Sequence, residues 1–270
     1  MAKHTLEMSD AGIHNLHETT VLDEHGNSRD ISLTGERPLT IYLDKREIVT
    51  LMTLGSYPEL LTLGYLRNQR LVDNIEDIIA IQVDWDVEAV AVTTKQNKPD
   101  LDQLLSKRTV TSGCGQGTMF GHVMDSLNEL EVQCPSFSAD SIYQVLNALS
   151  EHNEMYKKAG AVHGCALCSS DQIDIFVEDV GRHNAVDAIS GWMWLNDISG
   201  DDKVFYTTGR LTSEMVIKVA QMQVPLLLSR SGVTEMGLRL AQQIGIGMVA
   251  RAKGRHFLVY NGQQQFIPIA

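Results

Sequence analysis

From about residue 160 onward the chain alternates short apolar runs with longer amphipathic ones. "VPLLLS" (224–229) is too short for a stable helix and has no polar residue before its last position. Such a run suits a strand covered on both faces. "KVFYTT" (203–208) and "IGMVARA" (246–252) read the same way. Between them lie "TSEMVIKVAQMQ" (212–223), with Met215, Val216 and Val219 on one side, and "TEMGLRLAQQIG" (234–245), where Gly245 suits a helix stop. "GAVHGCALC" and "DIFVEDV" read as paired strands about a turn at "SSDQ", "GRHNAVDAISGWMW" as a helix and "HFLVYN" as a final strand. Strands alternating with helices of about twelve residues predict an α/β fold, a mixed sheet with helices on both faces.

The first half is less regular. Residues 1–37 lack sustained periodicity and read as a flexible arm. "LTIYLDKREIVTLMTL" predicts a hairpin around "DKR", with Leu39, Ile41 and Leu43 on one face. In "YPELLTLGYLRNQRLV", Pro58 suits a first helical turn, and Leu60, Leu61, Leu63, Gly64 and Leu66 crowd one side. "IIAIQVDWDVEAVAVTTK" predicts two strands turning near Asp84 and Asp86. After "CPSFS", Ser138 or Asp140 is placed to cap a helix carrying Ile142, Val145, Leu146 and Leu149. The expected division is an arm (1–37), a smaller N-terminal α+β part (38–137) and a C-terminal α/β domain (138–270).

The chain has 270 residues, 43% of them hydrophobic, which supports a sizeable core. No apolar run reaches the roughly 18–20 residues that span a bilayer. The first residues show no apolar signal region, and four cysteines in this length make no secreted disulfide framework, so the expected compartment is the reducing cytoplasm. A net charge of −12 disfavours non-specific nucleic-acid binding. Local positive charge survives in "RAKGRH" (251–256), which holds three of the 22 lysines and arginines.

Two cysteine settings and three polar loops carry the candidate chemistry. Cys114 lies in "TSGCGQGTM", where glycines at 113, 115 and 117 let backbone amides approach an anion or a thiolate, the reactive form of sulfur. "HGCALC" places Cys165 and Cys168 in a strand, where they face opposite sides and serve neither one zinc ion nor one dithiol well. "EDVGRHNAVD" gathers Glu178, Asp179, Arg182, His183, Asn184 and Asp187 at a strand-to-helix junction. "TTGRLTSE", with Gly209, Arg210 and Ser213, and "SRSGVTE" repeat the pattern at the next two strand ends. Arginines and hydroxyls at strand ends predict one crevice suited to phosphate. Arg182, His183 and Arg210 are the candidate phosphate contacts.

Together "SGCG", "AVHGCAL", "EDVGRHNAVD", the "GR…SEMV" stretch and "GRHFLVY", in this order, resemble the formate dehydrogenase accessory sulfurtransferase (FdhD) family over residues 38 to 260. The resemblance implies a cytidine-deaminase-like core and a cytoplasmic homodimer. It implies a sulfurtransferase that receives persulfide sulfur from a cysteine desulfurase. The sulfur would pass to the molybdenum cofactor bis-molybdopterin guanine dinucleotide, destined for formate dehydrogenase. By the same resemblance Cys114 matches the persulfide carrier. Arg251, Ala252, Lys253, Gly254, Arg255 and His256 match a segment that binds the guanine dinucleotide, with GDP as a surrogate ligand. No resident metal, nucleic-acid partner or membrane partner is implied.

The sequence departs from that family pattern twice. The second loop cysteine of the family falls here on Gly117, and Cys165 and Cys168 stand where the family has other small or apolar residues. One expectation is that Cys165 or Cys168 lies near Cys114 and replaces the missing partner. The alternatives are a cofactor-binding chaperone without sulfur transfer, and a zinc or redox protein using Cys165 and Cys168. Deamination is disfavoured, because no glutamate follows His163 in the required spacing.

Overall fold

The computed structural model describes residues 6–96, 108–111, 117–120, 131–169 and 172–269. In the N-terminal part, strands β1 (Glu7–Met8), β2 (Leu16–Leu22), β3 (Ser28–Thr34), β4 (Arg37–Leu43) and β5 (Arg46–Thr53) precede helix α1 (Pro58–Asn68). Strands β6 (Ile78–Asp84) and β7 (Ala89–Thr94) follow, then the pair β8 (Arg108–Thr111) and β9 (Gly117–Phe120). A five-stranded sheet has the order β1-β6-β7-β4-β5. The hairpins expected at "DKR" and near Asp84 are its β4–β5 and β6–β7 pairs.

Residues 7–34, read from sequence as part of a loose arm, carry β1 and the antiparallel pair β2–β3. Two-residue β1 adds parallel to β6, too short to show periodicity. The segment is tied down by polar bonds instead. Ser9 Oγ and Ala11 N donate to Glu59 Oε1 at 2.6 and 2.9 Å, and Trp85 Nε1 donates to Ala11 O at 2.7 Å.

The C-terminal part begins with β10 (Phe137–Ser138), α2 (Ala139–Glu151) and α3 (Glu154–Ala159). Ser138 caps α2, accepting from Ser141 N at 3.0 Å, while Ser141 Oγ accepts from Ser138 N. Strands β11 (His163–Cys168) and β12 (Ile173–Asp179), helix α4 (Arg182–Leu195), strand β13 (Val204–Thr207), helix α5 (Ser213–Gln221) and strand β14 (Leu226–Ser229) come next. Helix α6 (Glu235–Ile244) and strands β15 (Gly247–Lys253), β16 (His256–Asn261) and β17 (Phe266–Ile267) complete the order. The six-stranded sheet runs β12-β11-β13-β14-β15-β16. Its β13–β14 and β14–β15 pairs are parallel and the rest antiparallel, which makes the sheet mixed, as the alternation predicts.

Helices cover both faces of this sheet. Ile142, Val145 and Leu149 of α2 pack on Ala166, Tyr206, Leu228 and Val249. On the other face, residues of α4, α5 and α6 pack with Leu167, Phe205, Leu227 and Met248. That second core continues through α1 into the five-stranded sheet, so the two parts share one apolar interior. Helix α1 is therefore buried nearly all round rather than on one side, being packed against α4 as well as β6 and β7.

The α1–α4 crossing is closed by glycines. A Cβ on Gly64 would overlap the Asp187 carbonyl, and one on Gly191 would overlap the Leu60 carbonyl. Gly64→Ala is expected to lower stability by about 2–3 kcal/mol in urea denaturation. Gly232→Ala, where an added methyl meets nothing within 4 Å, is expected to change it by less than about 0.5 kcal/mol.

Candidate functional site

The three polar loops predicted from sequence come together at one end of the six-stranded sheet. Backbone bonds ladder them. Thr208 N donates to Gly164 O at 2.9 Å, Arg230 N to Thr207 O at 3.1 Å, Leu211 N to Gly232 O at 2.9 Å and Arg251 N to Ser231 O at 2.9 Å. Because β13 and β14 are parallel, their carboxyl ends open on the same side, and the antiparallel β11 presents its first residue there. The resulting crevice has a volume of about 440 Å³ and is lined by Tyr156, His163, Thr208, Arg230 and Ser231, with Gly160 to Val162 and Val180. Arg230 lies over the Tyr156 ring, 5.7 Å from its centre.

The sequence candidates are spread around this crevice at different depths. Arg210 is exposed on the loop after β13. Arg182 is buried at the start of α4, and its side chain packs across Gly209, where a Cβ would stand 2.5 Å from Arg182 Cδ. Both arginines hold His163 below the ordinary imidazole range, although burial is the larger cause. His163 Nδ1 lies 3.4 Å from Thr208 Oγ1, which also accepts from Gly164 N at 3.1 Å.

His183 faces the interior. Its Nε2 is 3.3 Å from Glu214 Oε2, and both side chains are buried. Burial, then the Lys218, Arg182 and His163 charges, push its pKa down to about 2. The imidazole is therefore neutral, and the contact is an N–H···O hydrogen bond rather than an ion pair. His183 cannot bring positive charge to a phosphate.

His183 heads a buried polar chain. Lys218 Nζ donates to Asp187 Oδ2 at 2.7 Å and lies 3.8 Å from Glu214 Oε1. Asn68 Nδ2 donates to Asp187 Oδ1 at 2.7 Å, and Ser190 Oγ to Asn68 Oδ1 at 3.0 Å. Burial raises the Asp187 pKa, while Lys218 and Asn68 pull it back. Asp179 anchors a second group. It accepts from Thr53 Oγ1, Leu54 N, Gly181 N and Asn184 Nδ2 at 2.6 to 3.1 Å. These bonds offset the burial that raises its pKa. "EDVGRHNAVD" thus serves partly as a bolt between the two sheets, through Thr53, Asn68 and α1. Sequence reading missed that role. Its one visible signal was Lys218, a lysine among Met215, Val216 and Val219 on the apolar side of α5.

"RAKGRH" forms the end of β15, a turn and the start of β16. Arg251, Lys253, Gly254, Arg255 and His256 are exposed. Ala252 is not: the residue is 1% exposed and belongs to the core beneath α2. Arg251 joins the crevice through Ser231, whereas Arg255 O accepts from Tyr143 Oη of α2 at 3.2 Å.

Cys114 lies within 112–116, between β8 and β9 and outside the described residues. Cys165 and Cys168 are buried on opposite faces of the sheet, in separate cores, as their spacing predicts. Burial pushes both thiols up to about 12. Facing apart, they can neither share a metal ion nor close a disulfide, so the zinc or redox alternative loses its chemistry. Cys134 is partly exposed, and burial raises its thiol pKa as well. Among the described residues no cluster of three metal-ligating groups occurs, and no helix is long and apolar enough to cross a membrane.

Comparison with known proteins settles the family. The FdhD/NarQ family matches residues 34–267. The chain belongs to that family. It is 29% identical to the sulfur carrier protein FdhD of Wolinella succinogenes over 234 residues, 86% of this chain and 80% of that one. It is also 29% identical to the sulfur carrier protein FdhD of Listeria monocytogenes serotype 4b, over 88% of this chain and 94% of that one. A solved structure of a proposed formate dehydrogenase accessory protein from Desulfotalea psychrophila is 25% identical, with a TM-score of 0.72, covering 95% of this chain and 100% of that one.

Lys218→Met, which leaves the buried Asp187 carboxylate without its cation, is expected to cost about 3–5 kcal/mol in denaturant unfolding. Adding Asp187→Asn is expected to add less than its own single effect. Iodoacetamide at neutral pH is expected to leave Cys165 and Cys168 unmodified in the folded protein and to modify both in denaturant, as read by peptide mass spectrometry.

Proposed function

We propose that this protein is a sulfur carrier and sulfurtransferase whose working thiol is Cys114. It takes sulfur from a cysteine desulfurase and delivers it to the bis-molybdopterin guanine dinucleotide molybdenum cofactor required by formate dehydrogenase. Membership of the FdhD/NarQ family supports the class of activity. The observation that carries the residue assignment is the state of the other cysteines. Burial raises the thiol pKa of Cys134, Cys165 and Cys168, which leaves Cys114 in its glycine-rich loop as the candidate nucleophile.

The loading step needs one thiolate. Cys114 attacks the outer sulfur of the desulfurase persulfide, a new S–S bond forms at Cys114, and the desulfurase thiolate leaves. The exchange has no net redox change, so the absence of a second thiol at Gly117 does not block it. For the substrate's phosphates, the crevice offers exposed Arg230 with the hydroxyls of Thr208 and Ser231, and the loop after β13 carries exposed Arg210. Arg182 supports them from below, and the "RAKGRH" turn adds exposed charge for the guanine dinucleotide or its surrogate GDP. On this reading the protein works in the cytoplasm as a homodimer.

Incubation with a cysteine desulfurase and cysteine, followed by peptide mass spectrometry without reductant, is expected to show one added sulfur on Cys114. Cys114→Ser is expected to abolish the gain. Absence of added sulfur on every thiol would favour a chaperone that binds the cofactor without transferring sulfur.

A further inference from the structure

His163 opens "HGCALC", but the sulfur chemistry leaves it without a task. It lines the crevice beside Thr208, Ser231 and Arg230. Thr208 Oγ1 already accepts the Gly164 amide hydrogen, so its own hydrogen is free to point at His163 Nδ1, 3.4 Å away. With the ring's proton on Nε2, that hydroxyl donates to Nδ1.

The surrounding charges are lopsided. Arg182 of α4 and Arg210 of the loop after β13 act on His163 as positive charges, Arg230 and Tyr156 share the crevice wall, and His183 of α4 is neutral. The acids of β12 are turned to other partners. Asp179, opposite His163 in the strand register, is engaged by Thr53, Leu54, Gly181 and Asn184. Glu178 accepts from Met155 N and Tyr156 N, both at 2.9 Å. Among the described residues this imidazole sits near arginines with no carboxylate paired to it, a setting that an incoming anion would reverse.

We infer that His163 is a binding residue for an oxyanion of the phosphate class, seated in this crevice with Arg230, Thr208 and Ser231, and that it takes up a proton as the anion binds. The inference rests on the proposed reading of the crevice as the place for a phosphate-bearing substrate. Burial lowers the His163 pKa first and the Arg182 and Arg210 charges lower it further; an anion offsets those two charges, so the bound state favours imidazolium more than the free one does. The sign follows from linkage. The free ring has the lower pKa and the liganded ring the higher one. Affinity is flat above the liganded value, rises as pH falls through it, and levels off below the free value.

Sulfate is the probe, because it carries the same oxygens but does not itself titrate near neutrality. Between about pH 7.5 and about pH 5.5 its affinity for the wild-type protein is expected to rise about fivefold or more. For His163→Gln it is expected to change by less than about twofold, and Arg230→Ala is expected to weaken binding about tenfold at either pH. The wild-type protein also tests the idea without any variant. Nitrogen-15 spectra at neutral pH are expected to show one imidazole moving from the Nε2–H tautomer to imidazolium on sulfate addition, with the signal lost in His163→Gln. Failure of sulfate to bind, or binding that leaves His163 neutral and the affinity flat with pH, would overturn the inference. Persulfide loading on Cys114 is measured separately, so failure here is distinguishable from failure of the sulfur-carrier reading.

Discussion

The contact on which the rest of the structure depends is the crossing of α1 and α4. Gly64 and Gly191 let the two backbones meet, and the approach places Asn68 of α1 against Asp187 of α4 at 2.7 Å. Lys218 of α5 completes the join. These charges are out of water, so their attraction is weighed against a large desolvation cost. The gain is specificity of arrangement. A slip of α1 would take the Asn68 amide away from Asp187, so the bond ties α1 and α4 to one register. The start of α4 carries Arg182 and His183, and Arg182 in turn packs on Gly209 beside the crevice. The depth of the site is set from the helix crossing outward.

A consequence is a division of labour within one dense stretch of sequence. In "EDVGRHNAVD", Asp179, Asn184 and Asp187 join the N-terminal sheet and α1 to the C-terminal sheet. Glu178 holds the amides that begin α3, and α3 supplies Tyr156 to the crevice. Arg182 alone in the stretch adds positive charge near the crevice. His183, kept neutral by burial and by Lys218 and Arg182, belongs to the interior chain. The exposed charge of the site comes from the loops after β13 and β14.

Much of the C-terminal fold was legible because each strand there is a short apolar run and each helix has a readable stripe or stop. Ser138, Gly245 and the β11–β12 pair stand where the residues predict. The opposite facing of Cys165 and Cys168 follows from strand alternation alone. What was not legible depends on contacts remote in sequence. β1 is two residues long and pairs with Ala80 and Ile81 of β6, while the residues just after it are held by Glu59 and Trp85, 48 to 74 positions away. The burial of α1 on every side requires knowing that a second helix covers it. Residue type suggested that His183 contacts a ligand. Its low pKa comes first from burial and then from Lys218, and no local pattern shows either. Ala252 shows the reverse limit: a residue inside a basic stretch can still belong to the core.

The central claim is that sulfur chemistry is confined to Cys114, because Cys165 and Cys168 are buried with thiols pushed up to about 12 and burial raises the Cys134 thiol as well. The most direct measurement uses a chain in which Cys134, Cys165 and Cys168 are all replaced by alanine. Loaded from radiolabelled cysteine through a cysteine desulfurase, this chain is predicted to bind as much sulfur as the wild type. A chain that lacks only Cys114 is predicted to bind none. Equal loading of the chain that lacks Cys114, or no loading of the chain in which it is the sole cysteine, would contradict the account.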